Sequence, residues 1–148
     1  MKLLTEKFVQ DNIIKYLSRK GWSRNLRSKT KNEHGVDVKV RNNSFSRYWL
    51  VECKGDASPA AKYPRSRREV NFKLALGQII TRMESNRKRN YKYGYKYGIG
   101  FPSSFGDLVR RRLPFYVADK LNLYAFLVDE KGKVELLDWS KLKAVQKS

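Results

Sequence analysis

Asp37, Glu52 and Lys54 are the residues of this sequence whose types and spacing could do chemistry together. Glu52 and Lys54 fall in Tyr48-Trp49-Leu50-Val51-Glu52-Cys53-Lys54, a run of aromatic and branched residues that predicts a β-strand. In a strand, residues two apart share a face, so these two point together while Val51 and Cys53 point the other way. Asp37 opens the alternating stretch Val36-Asp37-Val38-Lys39-Val40-Arg41, and pairing of the two stretches as a hairpin would set its carboxylate beside that of Glu52. Two carboxylates supply oxygen ligands suited to Mg²⁺, with a lysine next to them. That set matches the needs of phosphodiester hydrolysis: a nucleophile from water near neutral pH, and positive charge where negative charge develops. Lysine can orient or deprotonate the attacking water and offset the charge of the transition state. The competing reading is a surface salt bridge between Glu52 and Lys54 on a solvated face.

No other metal chemistry is open to the chain. Cys53 is its only cysteine and His34 its only histidine, so neither an internal disulfide nor a Cys/His zinc site can be assembled. Any metal must sit on carboxylates.

Several elements are expected to hold these strands. Thr5 to Lys20 reads as a helix, with Thr5 as N-cap, an apolar face of Phe8, Val9, Ile13, Ile14, Tyr16 and Leu17, and Gly21 to end it. Trp22 to Glu33 is polar and basic, and Asn42, Asn43 and Ser44 supply the turn between the two strands. After Gly55, the stretch 56–65 holds two prolines and small residues and reads as a loop. A long helix is expected from Ser66 to about Arg87, with Ser66-Arg67-Arg68-Glu69 as capping box and Val70, Leu74, Ala75, Ile79 and Met83 as its apolar stripe. Tyr91-Lys92-Tyr93-Gly94 repeats at once as Tyr95-Lys96-Tyr97-Gly98 and reads as a turn entering a strand through Phe101, closed by Pro102. Ser104 to Asp107 could cap a short helix carrying Leu108, Val109 and Arg110 to Arg112. Leu123 to Val128 reads as a central strand, and Val134 to Leu137 pairs back across a turn at Asp129 to Lys133. The plan is an α/β layered fold, read as a single domain over 1–148.

At Asp37, Glu52 and Lys54 the sequence resembles the PD-(D/E)XK, restriction-endonuclease-like, nuclease superfamily. The match is His34-Gly35-Val36-Asp37, then Glu52-Cys53-Lys54 fifteen residues on at a strand end, then a basic helix containing Gln78. The resemblance implies an αβββαβ core, a central mixed sheet flanked by helices, over Thr5 to Phe101, with additional C-terminal helix and strands. It implies Asp37 and Glu52 as metal ligands, the Cys53 backbone carbonyl as a further one, and Lys54 as the catalytic lysine. Glu6, about thirty residues before Asp37, corresponds to a first-helix glutamate of many members that reaches the metal or its water. Gln78 corresponds to a helix glutamine of some subfamilies that lies beside the metal. Two positions depart: Val36 replaces the nominal proline, and Arg82 stands where one exonuclease-type subfamily has tyrosine. Without the resemblance, Glu6 reads as an acidic residue favoured at a helix start, and Gln78 as an amide in structural hydrogen bonding.

Charge points the same way. Among 148 residues, 33 Lys and Arg stand against 14 Asp and Glu, a net charge of +19 that self-repels unless a polyanion neutralises it. Hydrophobic content of 41% with 13% aromatics places this charge on a folded body. The clusters expected to contact DNA are Lys62, Arg65, Arg67 and Arg68, next to the active-site strand, and Arg87, Lys88 and Arg89. The sequence shows no signal peptide or membrane span, which predicts a cytoplasmic protein with no membrane partner. The expectation is a Mg²⁺-dependent DNA endonuclease, with Mn²⁺ substituting. It would cut double-stranded DNA in homing or restriction fashion as a homodimer or higher homo-oligomer. The alternatives are a Holliday-junction resolvase, a nucleic-acid-binding module that does not cut, and, on charge alone, an RNA-associated protein.

Overall fold

A computed structural model describes residues 2–24, 37–42, 48–58, 60–83 and 95–148. Helix α1 (Glu6–Arg19) begins where Thr5 Oγ1 accepts the Phe8 amide, and it buries Val9, Ile13 and Leu17. Gly21, at φ +91°, takes the left-handed turn that follows. Three strands come next, β1 (Trp22–Arg24), β2 (Val38–Asn42) and β3 (Tyr48–Cys53). Helix α2 (Pro64–Met83) then leads to β4 (Tyr95–Pro102). A 3₁₀ turn (Ser103–Phe105) precedes α3 (Gly106–Arg112), α4 (Phe115–Leu121), β5 (Leu123–Val128), β6 (Val134–Leu137) and α5 (Trp139–Gln146).

The strands form one mixed sheet in the order β1-β2-β3-β4-β5-β6. Pairing is antiparallel from β1 to β3, parallel from β3 through β4 to β5, and antiparallel again at β6. Alternation along the strands divides the interior into two cores. On one face Trp49, Val51, Cys53, Phe126 and Val128 pack against Val9, Ile13 and Leu17 of α1. On the other, Leu50, Tyr97, Ile99, Phe101, Ala125 and Leu127 pack against Phe72, Ala75 and Ile79 of α2, together with residues of α3, α4 and α5. Gln146, near the end of α5, fastens this second layer: Nε2 donates to the carbonyls of Arg110 and Leu113, and Oε1 accepts from the Phe115 amide.

The expected hairpin is present, with Val38 paired to Val51 and Val40 to Trp49. Several other expectations are corrected. Trp22–Arg24, read as polar connection, is the edge strand β1. Helix α2 starts at Pro64 instead of at a Ser66 capping box; proline suits the first turn because its missing N–H has no intrahelical partner there anyway. Its buried stripe is Phe72, Ala75 and Ile79, while Val70 and Leu74 lie on the outer face at 45% and 49% exposure. Both phases are spaced for a helix, and only the sheet decides which one is buried. The second Tyr-Lys-Tyr-Gly copy is strand, not turn, and Tyr97 lies in the core. Helices α4 and α5 are not among the elements expected from the sequence. His34, Gly35, Val36, the turn residues Asn43 and Ser44, Arg87 to Arg89, and Tyr91 to Gly94 lie outside the described residues. Among the described residues no helix is long and apolar enough to cross a membrane.

Gly98 is a packing requirement of the central strand. A Cβ there would stand 2.6 Å from Cε2 of Phe126 and 3.2 Å from Cγ2 of Val51, both in the α1-side core. Gly98→Ala should lower unfolding stability by about 1–3 kcal/mol through overpacking, and Phe126→Leu in the same chain should recover part of that loss. Urea unfolding checks both; a Gly98→Ala midpoint equal to wild type contradicts the packing described.

Candidate functional site

The three parallel strands end together, so Cys53, Pro102 and Val128 lie along one end of the sheet. Crevices outside the carboxyl ends of parallel strands are where open α/β sheets bind ligands. Antiparallel β2 starts at that end, and carrying its register one residue beyond the Val38 to Val51 pair sets Asp37 opposite Glu52. Asp37 Oδ2 accepts the Cys53 amide at 2.8 Å, which fixes its carboxylate at the end of β3. Glu52 faces the α2 side and is 4% exposed, the only buried charged or polar residue among those described.

After Cys53 the chain is clamped to the start of α1. The Lys54 amide donates to the Gly100 carbonyl at 3.0 Å, holding the lysine beside β4. Asp56 and Leu4 then bond reciprocally: the Leu4 amide donates to Asp56 Oδ2 and the Asp56 amide to the Leu4 carbonyl, both at 2.8 Å. Ser104 Oγ donates to Asp56 Oδ1 at 2.6 Å, tying the end of β4 into the same clamp. Between them Gly55 lies so close to the backbone of Leu4, Thr5 and Glu6 that no side chain fits. Glu6, first residue of α1 and exposed, is thereby held next to Lys54 and Gly55.

The convergence of these groups is read at one atom. The Cys53 thiol is pushed well above its ordinary pKa, first by burial and then by the negative charges of Asp37, Glu6 and Glu52, with Lys54 pulling it down. Cys53 itself is core, on the α1 side of the sheet. All four expected charged groups therefore lie near enough to the end of β3 to act on the Cys53 thiol.

Gln78 stands apart from them. It is exposed on α2, and its backbone carbonyl accepts from Thr81 Oγ1. The α2 side chain that reaches Glu52 is Arg82, one helical turn further on, with Nε 3.8 Å from Oε1. Sequence reasoning noted Arg82 only as a departure from a family tyrosine. Its i+4 relation to Gln78 was the available signal. Asp56 and Ser104, which position the site without joining its charges, were signalled by neither motif nor spacing.

Among the basic residues expected to contact DNA, Lys62, Arg65 and Arg67 are exposed and Arg68 is half-buried, on the loop into α2 and its first turns. Arg110 pairs with Glu135 at 2.7 Å and Arg112 with Glu69 at 3.6 Å, so α3 spends two of its three arginines on neighbouring elements.

Among the described residues no three His, Cys, Asp or Glu side chains are grouped to hold a metal ion. A closed protein cage is thus not offered by them. Two carboxylates at a strand end nevertheless fit Mg²⁺, which keeps several waters and takes one or two carboxylates together with substrate phosphates.

The class of architecture is an α/β fold whose mixed six-stranded sheet carries helices on both faces, with acidic residues and a lysine where the parallel strands end. Two solved structures have this fold. One is an XisH family protein from Nostoc punctiforme, 14% identical, with a TM-score of 0.53 over 88% of this chain and 99% of that one. The other is an fdxN element excision controlling factor protein from Anabaena variabilis, 14% identical, with a TM-score of 0.55 over 89% of this chain and 99% of that one. No family model matches the sequence, and the search of curated proteins finds no match.

Gly55→Ala tests the clamp. A Cβ at that position would meet the Glu6 backbone nitrogen at 2.5 Å, Thr5 C at 2.8 Å and the Leu4 carbonyl oxygen at 2.9 Å, so the start of α1 must move. The variant should lose about 1–3 kcal/mol of stability. Hydrogen exchange at the Asp56 amide should accelerate, and unchanged protection there would mean that the clamp does not hold the site.

Proposed function

We propose that the chain is a Mg²⁺-dependent DNA endonuclease of the PD-(D/E)XK type. It hydrolyses phosphodiester bonds in double-stranded DNA in homing or restriction fashion, as a homodimer or higher homo-oligomer. The observation that carries this reading is the meeting of Asp37, Glu52 and Lys54 at one end of the β2–β3 hairpin. The order α1-β1-β2-β3-α2-β4 supports it, because it repeats the αβββαβ succession of that superfamily, with Asp37 just before the second strand and Glu52 on the third. The charge of +19 supports a polyanionic partner, and Lys62, Arg65 and Arg67 supply exposed cations on the segment leaving the site.

In this mechanism Asp37, Glu52 and the Cys53 carbonyl would hold Mg²⁺, and Glu6 would help to bind the ion or its water. When bound, the ion supplies an acidified water and a positive charge for the phosphoryl oxygens. Lys54 orients the attacking water, takes part in its deprotonation and offsets the charge of the transition state. The Asp37 bond to the Cys53 amide keeps the two strands in register while the phosphate binds.

A second reading comes from the name of one structural neighbour, an excision controlling factor. It favours a chain that handles recombining DNA, either as a junction-selective nuclease or as a binding module without cleavage. The test is incubation with plasmid, linear duplex and four-way-junction DNA, in Mg²⁺, in Mn²⁺ and in EDTA. Lys54→Ala should cut about 10²–10⁴-fold more slowly while keeping a salt-dependent affinity for DNA. If wild type cuts nothing in Mg²⁺, or if Lys54→Ala cuts as fast, the nuclease reading fails; affinity without cleavage would favour the binding module.

A further inference from the structure

Arg82 reaches Glu52 from α2, the helix that packs on the face of the sheet to which Glu52 points, with Nε 3.8 Å from Oε1. The partners differ in exposure: the Glu52 side chain is 5% exposed and that of Arg82 38%. A carboxylate so deeply placed is strongly disfavoured without compensating charge, and Asp37 opposite it adds repulsion. Arginine keeps its charge at any accessible pH, so it cannot make room for another cation by losing a proton. A dication bound by Asp37 and Glu52 would meet that guanidinium at close range and be repelled by it. The contact is also longer than a charge-assisted hydrogen bond, and the arginine side chain is partly exposed beyond its buried Nε.

We propose that Arg82 is the stand-in cation of this site: it neutralises Glu52 while no divalent ion is bound and withdraws toward solvent when one binds. Arg82 is then a positioning residue that sets the affinity for the metal. This rests on the reading of Glu52 as a metal ligand. Its place on α2 adds a consequence: the helix that carries Arg67 and Arg68 in its first turns also carries the residue that must move.

Two measurements without DNA test the proposal. Calorimetric titration with MnCl₂ should give Arg82→Gln a Kd at least roughly fivefold lower than wild type, since a repelling charge has been removed, with Arg82→Lys close to wild type. Thermal unfolding in EDTA should show Arg82→Gln melting lower than wild type and the double variant Arg82→Gln/Glu52→Gln recovering toward it. Recovery of folding by the double variant, where Arg82→Gln alone does not fold, also supports the pairing; no recovery overturns it. Wild type that binds Mn²⁺ with an affinity unchanged or weakened by Arg82→Gln overturns the role of Arg82 and leaves Glu52 as a ligand. Absence of Mn²⁺ binding in wild type and Arg82→Gln alike overturns both.

Discussion

A carboxylate that is 4% exposed at the end of a strand dictates much of what surrounds it. Glu52 could be moved outward only by breaking the alternation that buries Trp49, Val51 and Cys53 on the other face, so the strand geometry holds it where it is. The surroundings are arranged to tolerate it: Arg82 approaches from α2 and Lys54 follows two residues later. Burying a charge is unfavourable for stability, and a fold that keeps one is arranged around more than packing. Cys53, one residue on, has its thiol pKa raised first by burial and then by the negative charges of Asp37, Glu6 and Glu52, against the opposing pull of Lys54.

The charged groups of the site come from separate parts of the chain. Glu6 comes from the start of α1, Asp37 from the approach to β2, Glu52 from β3 and Lys54 from the exit of β3, with Arg82 added from α2. The supports come from further away still, through Asp56, Ser104 and the backbone of Gly100. By contrast, β6 and α5 touch none of these groups in the bonds described above; they complete the sheet and close the α2-side core through Leu137, Leu142 and Gln146. The α2-side layer thus holds both the Glu52–Arg82 contact and, further along the sheet, the core that β6 and α5 close.

Much of this could be read from residue order, for identifiable reasons. Strict alternation in Val36 to Arg41 and the aromatic run from Tyr48 specify both strands and their facing residues, because the period of two leaves one solution once a side is buried. Thr5 as cap and Leu123 to Val128 as a central strand were equally plain. Helix α2 was legible as a helix and partly in phase: Ala75, Ile79 and Met83 pack on the core as expected, whereas Phe72 is buried in place of Val70 and Leu74. Val70 and Leu74 fit an apolar stripe as well as Phe72 and Ala75 do, and the choice belongs to the sheet. Strand β1 has only three residues, too few for a pattern, and is defined by its partner β2. Arg82 escaped because its one signal, the i+4 relation to Gln78, does not mark it as the arginine that faces a buried acid. The clamp escaped because a glycine and an aspartate after a strand look like any turn.

The bonds between Leu4 and Asp56 join residues 52 apart in sequence. Closing a loop of that size is paid in chain entropy before any contact returns it, so the arrangement cannot persist in a local fragment or in a partly collapsed chain. Glu6 and Lys54 become neighbours only when α1 has docked across the strands. The acidic cluster and its lysine therefore form in the same cooperative step as the α1-side core, and a chain whose first helix is loosened loses them together.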